Sequence, residues 1–184
     1  MSNYEKQLLE IINQDEFIIE VIEAVEQLQL NDAWVCAGLI RNKVWDVLHN
    51  TDTEINDIDV IYFDDSDATW ETEKQLERKL MEILPTQLWS VKNQARMHLK
   101  SGFSPFKSSY DGVASFPETP TAVAIRKNGM NIEIMAPYGL QDLFEMRVRP
   151  TPLYFKGIAR HSVYIDRMKN KNWQITWEHL SIEY

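Results

Sequence analysis

The chain has 184 residues, 44% of them hydrophobic and including six Trp, seven Phe and seven Tyr, which is enough apolar material for one compact core. Nineteen basic and 28 acidic residues leave a formal charge of -9, so the electrostatic footprint of a general nucleic-acid binder is missing. A single cysteine, Cys36, excludes an intrachain disulfide and a cysteine-rich metal site; no basic leader precedes an apolar stretch, and no run reaches about 18 apolar residues, so a cytoplasmic protein without membrane contact is expected.

Leu8, Leu9, Ile11 and Ile12, then Phe17, Ile18, Ile19, Ile22, Val25 and Leu28, recur at helical spacing, with Asn13-Gln14-Asp15 between them. This predicts helices over 3–13 and 16–29, the second capped by Asp15. Trp34-Val35-Cys36-Ala37 is a short apolar run that ends at Gly38, and Ile40, Val44, Val47 and Leu48 follow at helical spacing, giving strand, tight turn and helix. Ile58 to Phe63 is a nearly continuous β-favouring run, as for a strand covered on both faces and central in its sheet. Thr69 to Leu84 reads as an amphipathic helix stopped by Pro85, and Leu88 to Val91 as a further strand. Lys100 to Pro120, rich in Ser, Gly and Pro, predicts a loop with at most a helical turn near Asp111 to Phe116, suited to covering a site. Thr121 to Arg126 and Asn131 to Met135 flank Asn128-Gly129 and predict an antiparallel hairpin. Short helices are expected over Leu140 to Met146 and near Ala159 to Met168. The expected organisation is one domain over 1–184, with helical elements at 1–30 and 150–184.

Asp57 and Asp59 lie two apart on the predicted strand, so their side chains share a face, with Cα atoms roughly 7 Å apart. Two carboxylates plus substrate phosphates are the oxygen set that Mg²⁺ takes. Upstream, Gly38 stands where a strand turns into a helix, with amides able to face a phosphate, and Arg41 on the first helical turn adds a planar cationic fork. Downstream, Glu133 sits mid-strand between Ile132 and Ile134, a candidate third metal ligand or general base, or else an outward-facing hairpin glutamate. Lys92, Asn93, Gln94 and Arg96 cluster after a strand, where they can reach phosphate or form an ordinary surface face; Arg147 and Arg149 can bind phosphate or pair with acids. Asp65-Ser66-Asp67 lacks the glycine and closing glutamate of a calcium loop and reads as a polar turn with a helix cap. The four histidines are too dispersed for a metal motif, no nucleophile elbow or Walker loop is present, and most tryptophans sit among core residues.

Gly38-Leu39-Ile40-Arg41-Asn42 followed by Asp57-Ile58-Asp59 is similar to the pattern of the tRNA CCA-adding enzymes and other polymerase beta-like nucleotidyltransferases. More closely, Ala37 to Asp46, Asp57 to Phe63, Trp89 to His98 and Ala136 to Pro150 resemble a family of largely uncharacterised nucleotidyltransferase-like proteins. The resemblance implies an α/β (α+β) fold, a mixed β-sheet flanked by helices. It also implies catalytic and metal-binding residues Asp57, Asp59 and Glu133, Mg²⁺ or Mn²⁺ as cofactor, and nucleotide contacts from Gly38, Arg41, Asn42, Lys92 and Arg96. Ala37-Gly38-Leu39 replaces the Gly-Gly or Gly-Ser of the superfamily, and Asn42 stands where CCA-adding enzymes carry Asp. The function expected is transfer of a nucleoside monophosphate from a nucleoside triphosphate to a hydroxyl; the alternative is an inactive nucleotide-binding or protein-interaction module of the same fold. The acidic charge and the lack of a large tRNA-binding extension favour a small-molecule or protein acceptor over tRNA.

Overall fold

The computed structural model describes residues 2–86 and 88–184. Helices α1 (Asn3–Asn13) and α2 (Glu16–Gln27) form where the apolar spacing places them. Ser2 and Glu5 make a reciprocal capping box on the first, and Asp15 accepts the Ile18 N–H at the start of the second. There follow β1 (Trp34–Cys36), α3 (Gly38–His49), β2 (Ile58–Tyr62), α4 (Trp70–Ile83), β3 (Trp89–Asn93), α5 (Gln94–Ser101), α6 (Ser109–Ala114), and the hairpin of β4 (Ala124–Asn128) and β5 (Asn131–Met135). The chain closes with α7 (Gln141–Phe144), β6 (Arg147–Val148), α8 (His161–Lys171), α9 (Trp173–Thr176) and β7 (Ser181–Ile182).

The main sheet has five strands in the order β3-β2-β1-β4-β5, parallel between β2 and β3 and antiparallel elsewhere. It is the mixed sheet flanked by helices that was expected. β2 is interior, although β1 takes the middle place. One face carries the larger core, from Leu8 and Ile12 through Val35, Val60 and Ile125 to Trp173 and Leu180. The other carries a thinner layer in which Trp34, Cys36, Ile61, Ala124 and Met135 meet Val113 of α6. Asp59 is in register with Cys36 of β1, which is in register with Ala124, so it projects to the thinner side. Among the described residues no helix is long and apolar enough to cross a membrane.

Four elements depart from the periodicity reading. α5 has a polar sequence with no apolar stripe; it forms because Asn93 caps it through the Ala95 N–H and because Arg96 is anchored to α4. α6 starts earlier than the expected turn, since the Asp32 carboxylate accepts the Ser109 N–H at 2.7 Å, a contact 77 residues away in sequence. β6 and β7, each two residues long, pair in parallel and are too short to leave a pattern.

Arg96 is a structural residue, which corrects its expected place at a phosphate. It donates to the fully buried Glu73 of α4 through Nε at 2.8 Å and Nη2 at 2.5 Å, and the same carboxylate accepts the Asn93 N–H at 2.8 Å. Removing one partner of such a pair leaves a buried charge uncompensated, at a cost of about 3–5 kcal/mol. Arg96→Met is therefore expected to lower the urea unfolding free energy by about that amount, and adding Glu73→Gln should restore part of it. An Arg96→Met protein as stable as wild type contradicts this role.

Candidate functional site

β1 passes into α3 through one residue. Ala37 takes φ 60° and ψ -120°, a conformation that crowds a Cβ and that glycine adopts freely. As N-cap it has no side-chain oxygen, so no side chain caps the first N–H groups of the twelve-residue α3. A Cβ built on Gly38 would stand 3.8 Å from both Arg41 Nη2 and Asp57 Oδ1. The turn, the guanidinium and the first carboxylate thus converge within a few ångströms.

Arg41 is only 5% exposed. Its Nε and Nη2 donate to Asn42 Oδ1 at 3.1 and 2.7 Å, and Nη1 donates to Thr121 Oγ1 at 2.9 Å. The guanidinium also lies 4.3 Å from the Trp173 ring centroid and 5.3 Å from that of Trp45. Burial lowers its pKa to about 10, against the pull of Glu118, and leaves it cationic at neutral pH. Asp57 is exposed just ahead of β2, while Asp59 is half-buried within it beside its register neighbour Ser90. Burial first, then the Asp57 charge, raises the Asp59 carboxyl above its usual range; Ser90, Lys92 and Arg41 oppose the shift.

Each carboxylate lines a different cavity. The first, of about 500 Å³, is lined by Gly38, Arg41, Asn42, Asp57, Lys171 and Trp173. The second, of about 320 Å³, is lined by Asp59, Lys92 and Gln94 together with aromatic side chains. Asp46, buried in α3, shapes the first by accepting from Thr51, from the Thr53 N–H and hydroxyl, and from Trp177 Nε1 at 2.8 to 3.1 Å. That network ties the loop before Asp57 and the C-terminal segment to one helix.

Gly38, Arg41, Asn42, Asp57, Asp59 and Lys92 are therefore brought together. Glu133 is not. It lies on the edge strand β5, where Arg126 donates through Nε at 2.6 Å and Nη2 at 2.5 Å and Asn128 Nδ2 donates at 2.6 Å. Those Asn128 and Arg126 contacts hold its carboxyl below the usual range. It shares the face of Asp59, but three strand spacings, roughly 14 Å, separate β5 from β2. Glu133 as third ligand is thus corrected: among the described residues no group of three His, Cys, Asp or Glu side chains is arranged to hold a metal ion. Arg147 and Arg149 pair with Glu145 and Asp142.

Sequence reasoning missed Arg167 and Lys171 of α8, Thr121, and Glu118, which is fully buried and paired with Arg167. Burial, then the charges of Arg167 and Arg41, lowers the Lys171 pKa, while Asp57 opposes the shift. Arg167 falls within the helix expected near Ala159 to Met168, whereas Lys171 lies beyond it and joins the same helix only in the observed His161–Lys171 span. Nothing local marks Glu118 or Thr121.

Residues 23–182 match a sequence family described as nucleotidyltransferase. The chain belongs to this nucleotidyltransferase family. It is 35% identical, with TM-score 0.85, to an NMR structure described as revealing a CCA-adding enzyme head domain, over 97% of this chain and 95% of that one. It also aligns with a Thermotoga maritima CCA-adding enzyme complexed with tRNA (15% identity, TM-score 0.55) and a CCA-adding enzyme complexed with CTP (15%, 0.57). At that identity these two bear on the fold alone; all of this chain is covered, but only 43% and 44% of theirs. No match was found among curated proteins. The match to a CCA-adding enzyme head domain overturns the preference for a non-tRNA acceptor. That preference rested on net charge, a sum over the whole surface that is insensitive to cations gathered at one cleft, and on the lack of a large extension, although the head-domain structure is itself 95% covered by this chain.

The raised pKa of Asp59 has a consequence for stability in this family member. In acid, below the ordinary aspartate value of 3.8, the carboxyl is protonated in both folded and unfolded chains and contributes nothing. As pH rises through the raised folded value, ionisation costs more in the folded chain, and stability falls. In cation-free buffer near neutral pH, Asp59→Asn is expected to unfold at a higher urea concentration than wild type, with the difference vanishing in acid. A lower midpoint for the variant at neutral pH contradicts the electrostatic account.

Proposed function

We propose that this protein is a metal-dependent nucleotidyltransferase that moves a nucleoside monophosphate from a nucleoside triphosphate to the 3′ hydroxyl of a tRNA. The observation that carries the reading is the convergence of Asp57 with the Gly38 turn and the buried Arg41 fork. For the acceptor, the support is the likeness to a CCA-adding enzyme head domain.

The donor set fits a hard cation. Asp57 and Asp59 supply carboxylate oxygens, Mg²⁺ usually takes one or two carboxylates plus substrate phosphates, and the burial and Asp57 charge that raise Asp59 are both offset by a positive charge. A bound Mg²⁺ or Mn²⁺ supplies Lewis-acid polarisation of phosphoryl oxygens and balances their charge. The protein's own contribution is positioning and electrostatics. The N–H groups of α3 and the Arg41 fork bind triphosphate oxygens, Lys171 adds a second cation to the same cavity, and Asn42 and Thr121 fix the plane of the guanidinium. In the transfer, the acceptor oxygen bonds to the α-phosphorus, the bond from that phosphorus to the β-bridging oxygen breaks, pyrophosphate leaves, and the hydroxyl proton passes to solvent.

The test uses α-labelled triphosphates, Mg²⁺ and a tRNA lacking its 3′-terminal nucleotides. Wild-type protein is expected to place label on the tRNA and release pyrophosphate, and Asp57→Asn and Asp59→Asn to cut the rate by about 10²-fold or more. Absence of transfer by wild type with all four triphosphates overturns the reading.

A further inference from the structure

Three side-chain atoms are buried without a hydrogen-bond partner among the described residues: the Tyr62 hydroxyl, His98 Nδ1 and Glu118 Oε2. Only the last belongs to a fully buried charged group. Glu118 pairs through Oε1 with Arg167 Nε, and among the described residues neither Nη of that arginine has a protein acceptor. A buried ion pair is a poor source of stability, because the cost of desolvating two charges can match or exceed their attraction. Here one carboxylate oxygen also goes unpaired, which adds to that cost. Fold strength alone does not account for a carboxylate at this place.

Glu118 stands where three parts of the site meet. Its carbonyl accepts the Thr121 N–H at 3.1 Å and the Ala122 N–H at 3.2 Å, which closes the turn Thr119–Thr121. The last residue of that turn presents Oγ1 to Arg41 Nη1 of α3 at 2.9 Å. The Glu118 carboxylate meanwhile takes Arg167 of α8, and Lys171 follows one turn later on the same helix. Arg41 and Lys171 line the first cavity and Arg167 the second, so a single buried residue joins the elements that carry these cations. The cations act against one another. Burial lowers the pKa of both Arg41 and Lys171, Arg167 lowers each further, and the Glu118 charge opposes the shift at each.

We infer that Glu118 is a positioning residue: with its carboxylate on Arg167 and its backbone on Thr121, it ties α8 to α3 so that Arg41 and Lys171 face one nucleoside triphosphate in fixed relation. The ligand rests on the nucleotidyltransferase reading, whereas the positioning is tested without any nucleotide. Charge and position predict opposite signs. A carboxylate near an anion site weakens anion binding by its charge, so an amide in its place raises affinity if charge decides and lowers it if position decides.

The arginine Nε–H resonances of ¹⁵N-labelled protein report how firmly each guanidinium is held, since a bonded and buried N–H exchanges slowly with water. In wild type those of Arg41 and Arg167 should both be protected. In Glu118→Gln both are expected to exchange about tenfold faster, although Arg41 Nε bonds to Asn42 and not to Glu118. Calorimetry of the same variant with CTP or ATP and Mg²⁺ should show binding weakened about tenfold. Thr121→Val cuts the link at its Arg41 end and leaves Glu118 paired with Arg167, so it should release Arg41 alone and weaken the triphosphate to a similar degree. Thermal unfolding sets a temperature at which each variant is compared folded; if Glu118→Gln does not fold, Thr121→Val carries the test. Faster exchange confined to Arg167 in Glu118→Gln, or triphosphate affinity equal to or above wild type in either folded variant, overturns the inference. If wild type binds no triphosphate, the nucleotidyltransferase reading falls and exchange at Arg41 alone decides the positioning.

Discussion

The site depends on one buried cation. A guanidinium removed from water is tolerated only when its donors are occupied and opposite charge lies close. Arg41 has each of its three nitrogens donating one hydrogen bond, to Asn42 beside it and to Thr121 in the turn that leads into β4, with the Trp173 ring near the C-terminus against it and opposite charge from Glu118, Asp57 and Asp59, which leaves two N–H groups of the fork for a ligand. Each partner is thereby held in place by the same group. The loop before Asp57 and the C-terminal Trp177 are fixed to the same helix by Asp46, so the helix that carries Arg41 also sets the shape of the first cavity.

Around Arg41 the charges alternate closely. Glu118, Asp57 and Asp59 pull its pKa up, while burial and Arg167 push it down, and Lys171 is depressed by burial and by the two arginines. These opposed charges surround the cavity that Arg41, Asp57 and Lys171 line together. This local balance is invisible in a net charge of -9, which is dominated by acids elsewhere on the chain. Net charge was one of the two grounds for expecting a non-tRNA acceptor, an expectation that the match to a CCA-adding enzyme head domain overturns.

Much of what the structure brings together around Arg41 is legible in the sequence because those parts are local. The Asp57-Ile58-Asp59 spacing on a β-favouring run, and a glycine between strand and helix followed by Arg41, are features of adjacent residues, and the helices and hairpin follow from periodicity and turn chemistry. What was not legible is set by pairing over long sequence distance. Glu133 looked like a third acid because it is mid-strand between apolar residues, but its place is decided by strand order, which puts β5 at the edge and gives it Arg126 and Asn128 as partners. Arg96 looked like a phosphate ligand until α4 brought Glu73 beneath it. Arg167, Lys171 and Trp173 reach the site only because α8 and α9 fold back over α3, a contact between residues more than 100 apart in sequence. Ala37, in a backbone conformation that favours glycine, explains how Ala-Gly serves where the superfamily has Gly-Gly or Gly-Ser: the turn geometry is kept although one residue carries a Cβ.

The central claim is that the Arg41 fork is a ligand-binding group and not only a structural one. Titration calorimetry of Arg41→Lys with CTP or ATP in the presence of Mg²⁺ tests it most directly. Lysine keeps the charge but loses the planar donor fork, so the account predicts a folded protein with triphosphate affinity lowered by about tenfold or more. A folded Arg41→Lys protein that binds the triphosphate as tightly as wild type would contradict it.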